Sequence, residues 1–192
     1  LQSFNGILVA PGFGERGVEG NIEEIKYVRL NNIPFFGICY GMQMAVIEYA
    51  RNMLKLDDAN STEVNPNTKN PVIDLMEEQK NITEKGGTMR LGAWKCDITR
   101  ETLCHSVYKT ENIEERHRHR YELNNKYLNQ LEENGLVASG KNKDTNLVEV
   151  VEVKDHPWFI GVQYHPEYKS TVLSPHPLFV SFVSAAILNK NK

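Results

Sequence analysis

Cys39 stands in Phe36-Gly37-Ile38-Cys39-Tyr40-Gly41-Met42-Gln43, between an apolar run and a stretch with helical spacing. The frame Gly-x-Cys-x-Gly is the thiol form of the Gly-x-Ser-x-Gly nucleophile elbow. A strand that turns at once into a helix strains the backbone of its nucleophile, and flanking glycines avoid the clashes that side chains would bring. A cysteine so placed lies at a helix N-terminus, where the dipole favours thiolate. Far along the chain, Gln163-Tyr164-His165-Pro166-Glu167 sets an imidazole and a carboxylate two residues apart, with Pro166 restricting the backbone between them. With Cys39 as nucleophile, His165 as general base and acid, and Glu167 fixing the imidazole's tautomer, the expected chemistry is acyl transfer through a thioester. Cys96 and Cys104 lack such a frame and read as structural thiols.

Two further stretches point to ligand contacts. Gly12-Phe13-Gly14 follows the apolar run Ile7-Leu8-Val9, so the Gly12 and Tyr40 N–H groups would form an oxyanion pair. The spacing Gly12-x-Gly14-x-x-Gly17 imitates a dinucleotide fingerprint, but no acidic residue follows at the end of a clear next strand, where a ribose contact would need it. In Arg116-His117-Arg118-His119-Arg120, strand alternation puts three arginines on one face and two histidines on the other. That arrangement suits local recognition of an anion such as an α-carboxylate or phosphate.

The elements that must position these groups read as an α/β layer with parallel strands. Strands are expected at Ile7–Val9, Pro34–Ile38, Ala93–Ile98, Arg116–Leu123, Leu136–Ser139, Leu147–Val153 and Phe159–Gln163. Helices are expected over about 21–31, 41–54, 126–133 and 177–188, the last followed by a polar tail at 189–192. Residues 57–79 read as mostly loop and 84–88 as a flexible break. The 192 residues, 40% hydrophobic and 24% charged, fit one domain with a sizeable core. A net charge of −3 argues against nucleic acid as a partner. No apolar stretch approaches a membrane span, and no leader pattern opens the chain. Three cysteines without disulfide or zinc spacing suggest reduced thiols in the cytoplasm, and the sequence suggests no metal. The chain begins abruptly at a strand entering a glycine loop, so an upstream segment is expected.

Taken together, Gly37-Ile38-Cys39-Tyr40-Gly41-Met42-Gln43 and His165-Pro166-Glu167 resemble the class I glutamine amidotransferases. The likeness within that family is to the glutaminase domains of CTP synthases. The strings that carry it are Gly14-Glu15-Arg16-Gly17-Val18-Glu19-Gly20, Asp58-Ala59-Asn60-Ser61-Thr62-Glu63, Gly86-Gly87-Thr88-Met89-Arg90-Leu91-Gly92 and Glu115-Arg116-His117-Arg118-His119-Arg120-Tyr121-Glu122. They run from near the first residue to about Phe182, and the last two are more specific than the triad.

The resemblance implies a three-layer, flavodoxin-like α/β fold with a mostly parallel central sheet, over a glutaminase domain at residues 1–188 that is incomplete at its N-terminus. It implies that Cys39 attacks the side-chain amide of L-glutamine with His165 and Glu167 assisting. Gly12, Phe13, Tyr40, Gly41, Met42, Gln43, Glu63 and Arg120 then correspond to glutamine-binding positions, Glu63 suiting the ammonium end and Arg120 the carboxylate. Arg16, Gly17 and Glu19 match a region tied to activation by GTP, and Gly86–Gly92 a lid-like loop. Ammonia would pass to a synthetase domain of the same polypeptide that uses ATP, UTP and Mg2+ to form CTP, in a full-length enzyme that is a homo-oligomer. No match to that synthetase domain lies in these 192 residues. This chain also reads Ala10-Pro11-Gly12-Phe13-Gly14 where the family has Pro-Gly-Gly-Phe-Gly, so position 11 has lost an N–H donor. Two alternatives stay open: a catalytically weak or silent regulatory module of the same fold, and another cysteine hydrolase with the same elbow. Glu63 and Arg120, suited to a free amino acid charged at both ends, count against the second.

Overall fold

The computed structural model describes residues 3–75 and 89–191. In chain order they form β1 (Ile7–Val9), α1 (Val18–Leu30), β2 (Phe35–Ile38), α2 (Tyr40–Asn52), β3 (Asn60–Ser61), β4 (Pro71–Leu75), β5 (Arg90–Ile98), α3 (Leu103–Tyr108), β6 (Asn112–His119) and β7 (Tyr121–Leu123). A 3-10 turn at Asn125–Tyr127 runs into α4 (Leu128–Glu133), followed by β8 (Leu136–Lys141), β9 (Val148–Val153) and β10 (Phe159–Val162). A second 3-10 turn at Pro166–Lys169 leads to α5 (Pro177–Lys190), which runs two residues past the expected Leu188.

Among the described residues, a seven-stranded sheet takes the order β1-β2-β10-β9-β8-β5-β6. β1, β2 and β10 are mutually parallel, whereas the pairings β10–β9, β9–β8, β8–β5 and β5–β6 are antiparallel. The α/β class holds, but the sheet is mixed rather than mostly parallel. A parallel pair needs a crossover of a dozen residues or more, and α1 supplies one between β1 and β2. β8 and β9 are joined instead by a short loop folded around Asn142, whose Oδ1 accepts from the Asp144 and Thr145 N–H groups, and short links favour antiparallel return. The parallel arrangement of β1, β2 and β10 is what matters for function, because it brings their C-terminal ends, and hence Gly12, Cys39 and His165, to one edge of the sheet.

The layers follow from alternation along β2 and β10. Phe35 and Phe159 face one core with α1 and α2, and Phe36, Ile38, Ile160 and Val162 face a second core with α3 and α5. α1 presents Val18, Ile22, Ile25 and Val28 on a single face, so it is a surface helix with an apolar stripe. α2 is buried from Tyr40 to Ala50. Its Glu48, fully enclosed, is held by Arg29 of α1 through a two-pronged contact at 2.7 and 2.8 Å.

The segment expected to be mostly loop at 57–79 instead contributes β3 and β4, which join β7 in a three-stranded sheet. Pro71 opens β4, a position where the missing N–H is tolerated. The run expected as one strand from Arg116 to Leu123 is broken at Arg120: β6 stays in the large sheet and β7 pairs with β4. The break expected at 84–88, and Gly86–Thr88 of the lid-like loop, lie outside the described residues.

Candidate active site

The glycines around Cys39 are required by close approach. A Cβ on Gly41 would lie 2.3 Å from the Val9 carbonyl oxygen of β1, and a Cβ on Gly37 2.7 Å from the Gly41 backbone. The start of α2 is thus pressed directly against β1 and β2. Cys39 joins β2 to α2 with φ 50 and ψ −97, a strained conformation for a residue with a side chain. Its N–H is tied to the Val162 carbonyl at 2.7 Å, which fixes the elbow to β10. Gly41→Ala is therefore expected to destabilise the fold by about 3 kcal/mol and to slow alkylation of Cys39, since α2 must move off β1. Urea unfolding together with iodoacetamide kinetics checks both effects.

His165 follows β10 and is 5% exposed. Its N–H donates to the Arg116 carbonyl of β6 at 2.8 Å, and its ring stacks on Tyr168 with centroids 5.0 Å apart and planes 10° from parallel. Its Nδ1 meets Glu167 Oε1 at 2.6 Å, which leaves Nε2 as the nitrogen able to exchange a proton with a nucleophile. Nε2 is buried and makes no hydrogen bond to the described residues. Cys39 Sγ instead lies 3.7 Å from the Gln163 side-chain nitrogen.

The thiol is not pre-ionised, contrary to the expectation from the helix dipole. Burial pushes Cys39 up to about 12; the Tyr40 backbone hydrogen bond pulls it down, and the carboxylates of Glu122, Glu167 and Glu63 add to the rise. Desolvation exceeds the benefit of the helix end. Cys96 and Cys104 are also buried and raised, as structural thiols should be.

Cys39, His165 and Glu167 line one cleft of about 540 Å³ with Pro11, Gly12, Phe13, Gln43, Glu63, Met89, Arg118, His119, Arg120, Tyr121 and Tyr168. Glu63 arrives from the end of β3 and accepts the Gly14 N–H at 3.3 Å. Burial raises its pKa, while the Gly14 N–H and nearby Arg120 act in the opposite direction. The Tyr40 hydroxyl donates to the Gly14 carbonyl, so the elbow holds the glycine loop in place. Of the residues expected to contact a ligand, Gly41 serves the packing against β1, and the Met42 side chain is fully buried in the core beside Gly161.

Arg16 does not line this cleft. It borders a separate hollow of about 280 Å³ with Pro11, Gly12, Phe13 and Tyr40. Gly17 takes φ 79 as the N-cap of α1, and Glu19 is paired with Arg51 at 2.8 Å.

Behind the cleft, β6 buries His117 and His119 while Arg116 and Arg118 stay exposed, the alternation read from the sequence. The two imidazoles meet at 2.7 Å, Nδ1 of His117 to Nε2 of His119. Arg90 reaches Glu149 at 2.6 Å and Glu122 at 3.5 Å. His119 Nδ1 lies 3.2 Å from Glu122, and His117 Nε2 3.6 Å from Glu149. Burial keeps both histidines neutral, pushing His119 down to about 3 and His117 lower still, and it raises both carboxyls. Beyond the alternation, no local pattern marks this cluster, because Arg90, Glu122 and Glu149 come from three separate strands.

A parallel-strand edge bearing a cysteine elbow, with a His–Glu pair just after the neighbouring strand, has the layout of a cysteine-dependent acyl-transfer site. Residues 1–185 match the family described as glutamine amidotransferase class-I, and the chain belongs to that family. Its relatives there are CTP synthases. It is 68% identical over 187 residues to the CTP synthase of Flavobacterium johnsoniae, covering 97% of this chain and 35% of that protein. It is 67% identical over 192 residues to that of Flavobacterium psychrophilum, covering 100% of this chain and 36% of that protein. The chain thus spans about a third of the length of these curated relatives. Among solved structures, the Trypanosoma brucei CTP synthase glutaminase domain with bound acivicin is 40% identical with a TM-score of 0.89, covering 95% of this chain and 71% of that one.

Proposed function

We propose that this chain hydrolyses L-glutamine to glutamate and ammonia through a thioester on Cys39. The observation that carries this reading is the shared cleft in which the strained Cys39 elbow, the His165–Glu167 pair, Glu63 and Arg120 converge. Glutamine lies with its ammonium toward Glu63 and its carboxylate toward Arg120, which brings the side-chain amide to Cys39. His165 Nε2 takes the thiol proton as sulfur attacks the amide carbon, and returns it to the departing nitrogen, which leaves as ammonia. The N–H groups of Gly12 and Tyr40 bind the oxyanion of the tetrahedral intermediate. A water molecule, deprotonated by His165, then splits the thioester to glutamate. Phe13, Gly41, Met42 and Gln43 complete the glutamine-binding set, Gly41 and Met42 through their main chain.

In the longer polypeptide, ammonia passes to a synthetase domain that uses ATP, UTP and Mg2+ to form CTP. That enzyme is a cytoplasmic homo-oligomer, and its similarity to the CTP synthases supports this step. Arg16, Gly17 and Glu19 are the GTP-responsive region; Arg16 borders a second hollow that shares Gly12 and Tyr40 with the elbow, which supports its part in this reading.

Incubation with 6-diazo-5-oxo-norleucine, an electrophilic glutamine analogue, is expected to add one adduct mass at Cys39, and glutamine is expected to protect. An unmodified Cys39, with the Cys39→Ala chain giving the same spectrum, overturns the reading.

A further inference from the structure

Gln163 is fully buried at the end of β10, and its side chain occupies a defined place in a line of amides. The Gln43 Nε2 donates to the Tyr121 carbonyl at 3.0 Å and to Gln163 Oε1 at 3.3 Å. A backbone carbonyl accepts only, so it fixes which end of the Gln43 amide faces it. The second N–H of Gln43 then requires an acceptor, which fixes Gln163 with Oε1 toward Gln43 and Nε2 toward Cys39. Nε2 lies 3.7 Å from Sγ, within hydrogen-bond reach of sulfur. Its main chain is pinned as well, the N–H donating to the Glu149 carbonyl at 2.9 Å. The orientation is thus inherited from β7, through α2, to β10, and it leaves a donor aimed at the reacting atom.

We propose that Gln163 is a further catalytic residue, whose side-chain N–H stabilises the negative charge that develops on Cys39 sulfur as His165 takes its proton and again when sulfur leaves the tetrahedral intermediate during thioester hydrolysis. The inference rests on the proposed glutaminase reading and deepens it. The thiol proton still goes to His165; Gln163 contributes a hydrogen bond and transfers no proton. Glu122, Glu167 and Glu63 all oppose ionisation of Cys39, so a neutral donor in contact with the sulfur acts against a field set by three carboxylates.

The test is the rate of Cys39 alkylation by iodoacetamide, measured from pH 7 to 9 on the intact chain and on Gln163→Met and Gln163→Glu. Methionine keeps length and volume but carries no N–H. Gln163→Met is expected to alkylate about tenfold more slowly at each pH, the effect of losing a hydrogen bond to a charged group. Gln163→Glu, which puts a carboxylate beside the sulfur, is expected to lose at least as much. A folded Gln163→Met chain that alkylates within twofold of the parent overturns the proposal. A second measurement needs no substitution: the side-chain amide resonances of Gln163 are expected to shift on alkylation of Cys39, and unmoved resonances overturn it equally. Glutamine enters neither assay, so failure of the glutaminase reading would show separately, as a normally alkylated chain without the norleucine adduct.

Discussion

Replacing His165 with alanine is expected to lower glutamine turnover by about ten-thousand-fold, the scale on which disabling the base in a nucleophile–base–carboxylate triad acts. The argument lies in the thiol. With Cys39 pushed up to about 12, the thiol keeps its proton at pH 8 if nothing takes it. The strained elbow aims the sulfur but does not ionise it, so the rate depends on a base within reach. Nδ1 of His165 is engaged with Glu167 at 2.6 Å, which leaves Nε2 for that role. Alkylation of Cys39 in the His165→Ala chain should therefore climb by about tenfold per pH unit through pH 10 without a plateau, as an isolated high-pKa thiol does. Turnover within tenfold of the parent would remove His165 from the mechanism.

Arg90→Met is expected to cost about 3–5 kcal/mol of folding stability, the range for removing one partner of a buried ion pair. Arg90 is 4% exposed and reaches both Glu149 and Glu122, carboxyls with almost no access to solvent. Its loss leaves them without that cation, and both shift further toward the neutral acid. The pH dependence has a definite sign. A carboxyl whose pKa is raised by folding holds its proton in the native state and releases it on unfolding. Stability therefore falls as pH climbs from the ordinary carboxylate range toward the raised value. The deficit of Arg90→Met relative to the parent should be larger at pH 8 than at pH 5. Urea unfolding at the two pH values measures it, and an equal deficit at both would exclude a charge-based cause.

The parts of this fold that were legible in the sequence are those set by local chemistry. Gly37 and Gly41 announce a close approach, and the distances to Val9 and to the Gly41 backbone give the reason. The apolar runs at Phe35–Ile38 and Phe159–Val162 read as strands because both faces of each are covered, whereas Ile7–Val9 leaves Leu8 exposed. The alternation Arg116–His119 placed arginines and histidines on opposite faces, and the histidine face is the buried one. What escaped was set by partners distant in the chain. The antiparallel half of the sheet depends on pairings that no single segment encodes. β4 was hidden behind Pro66, Pro71 and a polar stretch with Asn65, Asn67 and Asn70, and α3 has only six residues, too few for a periodic signal, although Thr102 caps it. The thiol's high pKa could not be read from the elbow motif either, since it comes from burial beneath the cleft. Gln163 was visible only as the end of a strand. Its contact with Cys39 spans 124 positions and is specified by a carbonyl on β7.

The meeting of His117 and His119 at 2.7 Å imposes a rule of proton counting. Two neutral imidazoles share that contact, so one ring must offer N–H and the other a bare nitrogen. If His117 Nδ1 holds the hydrogen, His119 carries its own on Nδ1, turned toward Glu122, and His117 shows a bare Nε2 to Glu149. If His119 Nε2 holds it, both outer nitrogens reverse: N–H faces Glu149 and a lone pair faces Glu122. The two rings therefore cannot change tautomer independently. A change of tautomer at one ring compels the other to change, and together they reverse which of the two buried carboxyls, Glu122 or Glu149, an imidazole N–H faces.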